Sequence, residues 1–289
     1  AEFLMLGMFV AFFCWQHLGL DPMLGALVAF VVVFAFGALV QRVLIERVLR
    51  APEVAQIFLT VGLLIVLENA ALLAFGSEFR SVRVPYQTSA IEFGGLIVGV
   101  PYLLAFAISL VAGALLWAFM RYTWLGQAMR ATAQDPMAAL SLGMDARRIR
   151  QLAFGLGVGM TALGGAVILP YFTASPTVGG QFAVLMFTAV VLGGLGNVLG
   201  AVLGGLMVGV IQNVSTLVLP LQLQNLALFL VFMPRAGAGF FGLNGGPGIM
   251  VNALLANAPF GIVTTLAIEA LGRRPLEQRE PALERASRI

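Results

Sequence analysis

The chain has 289 residues, 60 % of them hydrophobic and only 10 % charged, with 34 glycines and a formal net charge of +3. Ordinary soluble domains carry roughly 25 % charged residues, so this composition excludes a soluble globular protein and reads as an integral membrane protein. Long unbroken apolar runs exclude a β-barrel, whose strands would alternate apolar and polar residues.

In chain order, Phe3–Leu20 is apolar and just long enough to cross a hydrocarbon core of roughly 30 Å at about 1.5 Å per residue. It carries the single cysteine, Cys14, which excludes an internal disulfide and makes no metal site by itself. The single histidine, His17, lies near the end of the run and reads as an interfacial side chain rather than a ligand. The chain opens without Met or a charged n-region, so no signal peptide is read. Asp21-Pro22 makes a turn, and Met23–Val40 is a second span, followed by Arg42, Glu46, Arg47, Arg50 and Glu53. Pro52 and Glu53 restart a helix. Ile57–Phe75 is the third span and contains Glu68-Asn69. An ionisable residue at that depth is costly and by default functional; the alternative is that Glu68 reaches the headgroups or pairs with another helix.

Gly76–Gly95 reads as a polar loop with Arg80 and Arg83, and Leu96–Met120 as the fourth span. A polar island follows, Arg121–Gln151, with arginines at 121, 130, 147, 148 and 150. Within it Asp135-Pro136 is a helix start, because Asp caps free N–H groups and Pro fits the first helical position. Gly143 is the matching stop, and Asp145 caps the next helix. The island predicts a short helix over Pro136–Leu142, apolar on Met137, Leu140 and Met144 and too short to cross. Spacing alone leaves two readings open, a loop helix resting on headgroups and a docking knob for a soluble partner.

Leu152–Leu169 is the fifth span, with Gly155 and Gly159 spaced for close approach of another helix. Pro170–Gln181 is a loop on the opposite face. Phe182–Leu219 is too long for one span and is interrupted at Leu192–Asn197, LGGLGN. Gly193, Gly194 and Gly196 fall in the break, and Gly200 and Gly204 continue a four-residue repeat. Two short segments meeting at glycines is the pattern of a discontinuous membrane helix, tolerated only inside protein or against a watery cavity. Simple packing through small residues is the other reading. Leu221–Met233 is hydrophobic and ends at Pro234-Arg235; Ile249–Leu271 is hydrophobic with several polar interruptions; the tail from Gly272 to Ile289 is charged.

All sixteen basic residues are arginine and cluster at span ends, where they orient the chain rather than bind nucleic acid. Placing Arg42, Arg47 and Arg50 in the cytoplasm brings the island there too, against Arg80 and Arg83 outside. Five arginines of the tail (273, 274, 279, 285 and 288) break this count if Ile249–Leu271 crosses once.

Several of these residues carry a resemblance. GQAMRATAQDPMAALSLGMD resembles the ATPase-facing loop of the permease subunits of branched-chain amino-acid ABC importers. FTAVVLGGLGNVLGAVLGGLMVGVIQ resembles their glycine-rich late helices, Glu2-Phe3-Leu4-Met5-Leu6-Gly7 the segment after their first helix, and Pro234-Arg235 through Phe241-Gly242 a loosened form of their ending. The match covers residues 1–242, begins after the family's first helix, and leaves 243–289 as a separate hydrophobic segment and charged tail. The resemblance implies an all-α, polytopic helical bundle in a bacterial or archaeal cytoplasmic membrane. It also implies a second permease subunit, two cytoplasmic ATP-binding subunits and a periplasmic or surface substrate-binding protein. Asp135, Pro136, Met137, Ala138, Ala139, Leu140 and Gly143 would then form the coupling helix seated on the ATPase. Without any Lys no nucleotide-binding P-loop exists here, so ATP hydrolysis is expected in a partner and no cofactor is expected.

Glu68, Asn69, Thr188 and Asn197 are the candidates for polar groups near the translocation path. The solute implied is a branched-chain amino acid, with urea and short amides carried by similar permeases. A stand-alone secondary transporter or channel using Glu68 as a coupling site is the alternative, although no inverted repeat is visible. An intramembrane enzyme would need paired acids, a Ser-Lys pair or a His cluster, which one His and no Lys do not supply.

Overall fold

The computed structural model describes residues 1–49, 51–93, 96–194 and 196–218. The predicted segments Leu221–Met233 and Ile249–Leu271, the charged tail and the boundary at residue 242 lie outside the described residues. The chain divides into two units, Ala1–Gly209 and Val210–Ile289. The described part of the second is the helical run from Val210 to Val218.

The first unit is a helical bundle. Helix α1 spans Glu2–Leu18 and α2 spans Pro22–Val40. Gly19 takes a left-handed φ of 64° to end α1, and the Asp21 carboxylate accepts the Met23 N–H at 2.8 Å to start α2. A π turn, Gln41–Ile45, and a three-residue helix α3, Glu46–Val48, prolong α2. Pro52 precedes α4, Glu53–Phe75. Four described helical runs are long and apolar enough to cross a membrane, Pro22–Val48, Glu53–Phe75, Val100–Tyr122 and Ala146–Ile168. The protein is a polytopic helical membrane protein.

The region between α4 and the next span differs from expectation. Ala90–Phe93 (β1) and Leu96–Gly99 (β2) pair antiparallel, with Ala90 opposite Gly99 and Phe93 opposite Leu96. The span α5 therefore starts at Val100 and runs to Tyr122. Pro101 in its first turn explains the start, because Pro deeper in a helix loses a backbone bond and clashes with the preceding turn. Arg80 stitches this region to the loop after α8: its backbone exchanges bonds of 2.9 and 2.8 Å with Ala174. Its guanidinium donates to the Phe75 carbonyl at 2.8 Å and lies over the Phe12 and Phe13 rings.

The polar island holds two helices before the next span. Thr123 caps α6, Trp124–Gln134, by accepting the Gly126 N–H at 3.1 Å, and α7 covers Pro136–Ser141. The span α8 covers Ala146–Ile168, starting behind the Asp145 cap as expected; its first two turns, which carry Arg147, Arg148 and Arg150, precede the apolar stretch that begins at Leu152.

The core is a three-helix packing of α1, α2 and α8. Small residues make it possible. A Cβ added to Gly7 or Gly165 would collide with the backbone of Ala162 or Leu4 respectively, so α1 and α8 touch main chain to main chain. The helix that approaches Gly155 and Gly159 is α2, whose Phe34 and Phe30 carbonyls would stand 3.0 and 3.1 Å from an added Cβ. Met5, Met8, Phe9 and Ala11 of α1 fill the centre, with Phe9 stacked on Phe75 at 4.4 Å.

The glycine-rich stretch is two helices, α9 over Val178–Gly193 and α10 over Val198–Val218. Gly193 lies against the Gly200 backbone and Gly204 against the Ala189 carbonyl. That pairing order makes the break a hairpin turn, in which α10 folds back along α9 instead of continuing its direction.

Candidate docking helix and translocation groups

The short helix α7 is built by its ends. The Asp135 carboxylate accepts the N–H groups of Met137 at 2.9 Å and Ala138 at 3.0 Å, satisfying two donors that a first turn leaves free. Pro136 occupies the first position. At the other end Gly143 takes φ 78°, where a Cβ would be strained, and its N–H reaches the Leu140 carbonyl at 2.9 Å. The next N–H, from Met144, reaches Ala139 at 3.1 Å. Asp145 then accepts the Arg148 N–H at 3.1 Å and starts α8.

A helix of six residues gains little from its own hydrogen bonds, so packing must hold it. Ala139 is buried, and Met144 packs with Ala128, Met129, Ile149 and Leu152 in a cluster shared by α6 and α8. The opposite face is presented outward: Met137 is 73 % exposed and Leu140 52 %. Ala138 is exposed beside them. The seven residues anticipated for docking thus divide, with Asp135, Pro136 and Gly143 shaping the helix, Ala139 anchoring it, and Met137, Ala138 and Leu140 offered at the surface.

The surroundings are basic. Arg42 in the π turn after α2 and Arg147 and Arg148 on α8 line a cavity of about 520 Å³ together with Asp145, Gln151 and Leu152. Asp145 pairs with Arg148 at 3.0 Å. Deeper in, Arg150 pairs with Glu46 at 2.6 Å.

The four path candidates sit on three elements. Glu68 is half-buried on α4, and the neighbouring Asn69 donates to its own helix, to the Ile65 carbonyl at 2.8 Å. Thr188 is buried on α9 and donates to Val184 at 2.7 Å. Asn197 accepts the Gly200 N–H at 3.1 Å, capping the start of α10. Asn197 and Gly196 also line a cavity of about 150 Å³ with Arg121 and Arg130. Gly194 and Gly196 take φ of 87° and 84° to make the turn there.

Two features around this site went unread in the sequence. Helix α6 has a legible signal in retrospect, since Leu125, Ala128, Met129 and Thr132 recur at helical spacing behind a Thr cap. The Glu46–Arg150 pair has none, because 104 residues separate its members.

Comparison with known proteins agrees with this arrangement. The family described as branched-chain amino acid transport system / permease component matches residues 1–234. The high-affinity branched-chain amino acid transport system permease protein LivH of Salmonella typhimurium is 28 % identical over 244 residues, covering 79 % of this chain and 78 % of that one. The permease protein BraD of Pseudomonas aeruginosa, of the same description, is 28 % identical over 241 residues with the same coverage. The ribose import permease protein RbsC of Bacillus subtilis is 30 % identical over 127 residues, 41 % of this chain and 38 % of that protein. No solved structure gives a significant match. With the family match and four membrane-length helices in agreement, the chain belongs to the permease components of branched-chain amino acid transport systems and is a transmembrane permease subunit of an importer.

Proposed function

We propose that this subunit, beside a second permease subunit, lines a path for branched-chain amino acids across a bacterial or archaeal cytoplasmic membrane. Two ATP-binding subunits serve the permease pair, one of them holding α7 of this chain at the arginine-rich end, and a substrate-binding protein delivers solute at the end carrying Arg80 and the β-hairpin. The observation that carries this reading is α7 itself. It is capped at both ends, anchored through Ala139, and exposes Met137 and Leu140 beyond the bundle. A rigid projection with an apolar tip transmits force from a partner better than a loose loop does. The names of LivH and BraD support the solute class, and an aliphatic zwitterion needs few polar contacts along a largely apolar route.

The experiment is a mild-detergent pull-down of the chain with its ATP-binding subunits, followed by leucine uptake in vesicles. Gly143→Pro, which removes both the left-handed turn and its N–H bond, and Met137→Asp, which charges the apolar tip, should release the ATP-binding subunit and abolish uptake. A chain that purifies alone yet moves leucine along a proton gradient would overturn the docking reading and favour Glu68 as a coupling group. Intact docking with uptake of urea but no leucine would overturn the solute alone.

A further inference from the structure

Arg150, in the second turn of α8, donates through Nη2 to Oε1 of Glu46 at 2.6 Å. The Glu46 side chain is 16 % exposed and that of Arg150 35 %, so the carboxylate is largely withdrawn from water while the guanidinium keeps part of its contact with it. Removing one partner of such a pair leaves a charge without compensation. Arg42 and Arg47 lie beside Glu46 on its own run, but among the described residues neither is within ion-pair distance of it, and on α8 the nearby acid, Asp145, is engaged by Arg148.

The contact is made at one point. Oε2 of Glu46 and Nε of Arg150 are both buried and have no hydrogen-bond partner among the described residues. A guanidinium and a carboxylate interact most strongly through two parallel N–H···O bonds. A shift of α8 against the helical run carrying Glu46 that brought Nε to Oε2 would give a second, two-point arrangement with both idle atoms satisfied.

Both ends of the contact are placed to use that alternative. Arg150 follows Ile149, which packs in the cluster containing Met144, and Met144 is hydrogen-bonded to Ala139 of α7. A push on α7 thus reaches Arg150 through a short, close-packed chain of contacts. Glu46 comes directly after the π turn Gln41–Ile45. Such turns are local departures from the α ladder and are frequent at functional sites, and this one lies between Glu46 and the membrane-crossing body of α2.

We propose that the Glu46–Arg150 pair is the positioning contact through which movement of α7 reaches α2, switching between one-point and two-point geometry during the transport cycle. This rests on the docking reading of α7. A switch and a static tether differ in what they tolerate at position 150. Lys keeps the charge and a single contact but cannot form the fork.

The test uses the full complex with its ATP-binding subunits in vesicles, with tritiated leucine as probe. Arg150→Lys should assemble and melt like wild type, yet leucine moved per ATP hydrolysed should fall about tenfold, within the usual range of a coupling between sites. Glu46→Gln should fall at least as far. A solute-independent readout accompanies it: in a Cys14→Ser background, spin labels at Leu39 on α2 and Ala133 on α6, both exposed, should change their separation on adding ATP in wild type. In Arg150→Lys, which cannot reach the two-point state, the separation should stay the same with and without ATP. The proposal is overturned if either readout in Arg150→Lys matches wild type. Failure of the docking reading shows separately, as ATP-binding subunits that remain bound to the Gly143→Pro variant.

Discussion

Helices α1 and α4 are both strongly apolar and have opposite surroundings. In α1, Met5, Met8, Phe9 and Ala11 are at most 1 % exposed, whereas on α4 only Leu67 and Ala71 are buried and Leu73 is 90 % exposed. A bilayer is as apolar as a leucine side chain, so hydrophobicity brings both helices into the membrane without deciding which one is central. What separates them is the residue opposite a small one. Gly7 of α1 meets the Ala162 backbone, and Gly165 of α8 meets the Leu4 backbone, while Gly62 of α4 faces open space. Close backbone approach gives α1 dispersion contacts on several sides. The outer face of α4 is left for lipid or for another subunit.

The sharpest way to break this contrast is to fill the glycines. Gly7→Leu would force α1 off α8, and overpacking against backbone that cannot shift should cost about 3 kcal/mol or more and prevent a stable fold. Gly62→Leu should stay within about 0.5 kcal/mol of wild type, as surface substitutions do. Fluorescence-detected size-exclusion after heating in detergent compares the two. Equal melting of both variants would remove the distinction between the helices.

Truncation is the next test. Met8→Ala should destabilise by about 2–5 kcal/mol through lost contacts and a residual cavity, and Leu73→Ala by no more than about 0.5 kcal/mol in the isolated subunit. If Leu73→Ala instead weakens only the assembled complex, the exposed face of α4 is an interface between subunits, and the comparison becomes one between a core within the chain and a core shared by two chains.

The smallest effect concerns the loop that closes over the α1–α2 turn. The Tyr86 hydroxyl donates to Asp21 at 2.7 Å, while the same carboxylate oxygen caps α2. Burial first, and then the Asp21 carboxylate, raise the Tyr86 pKa well above its ordinary value near 10. The neutral phenol is the form favoured in the fold, so its contribution is complete below about pH 10 and is lost as pH rises toward the elevated value. Tyr86→Phe should cost about 1 kcal/mol at neutral pH. Melting curves between pH 8 and pH 11 (an assay range, chosen to bracket the ordinary tyrosine pKa of about 10) should show wild type losing its advantage at the alkaline end. A constant difference across that range would mean that the bond to Asp21 is not what Tyr86 supplies.

Much of the candidate site was legible because it is local. Asp135, Pro136 and Gly143 act on backbone groups within three residues of themselves, so their identities announce α7 without reference to the rest of the chain. The spans were legible for a similar reason, since a run of apolar residues must be satisfied wherever it folds. The β-hairpin at Ala90–Gly99 was not, because β2 is as apolar as the span it precedes and only pairing with β1 makes it a strand. The glycine-rich stretch announced a break at Leu192–Asn197 and left its direction open. Gly200 against Gly193 and Gly204 against Ala189 show a return hairpin, a property of two segments together.

By itself, then, the sequence determined that the chain lives in a membrane and that a short helix, capped by Asp135 and ended at Gly143, interrupts its spans. These follow from hydration and backbone hydrogen bonding, which act residue by residue. Tertiary structure alone decided that α1 is central and α4 peripheral, that Arg80 ties two loops, and that Glu46 meets Arg150 across the bundle. Those depend on which surfaces come within van der Waals or hydrogen-bond distance, and forces of such short range leave no periodicity in the sequence to be read.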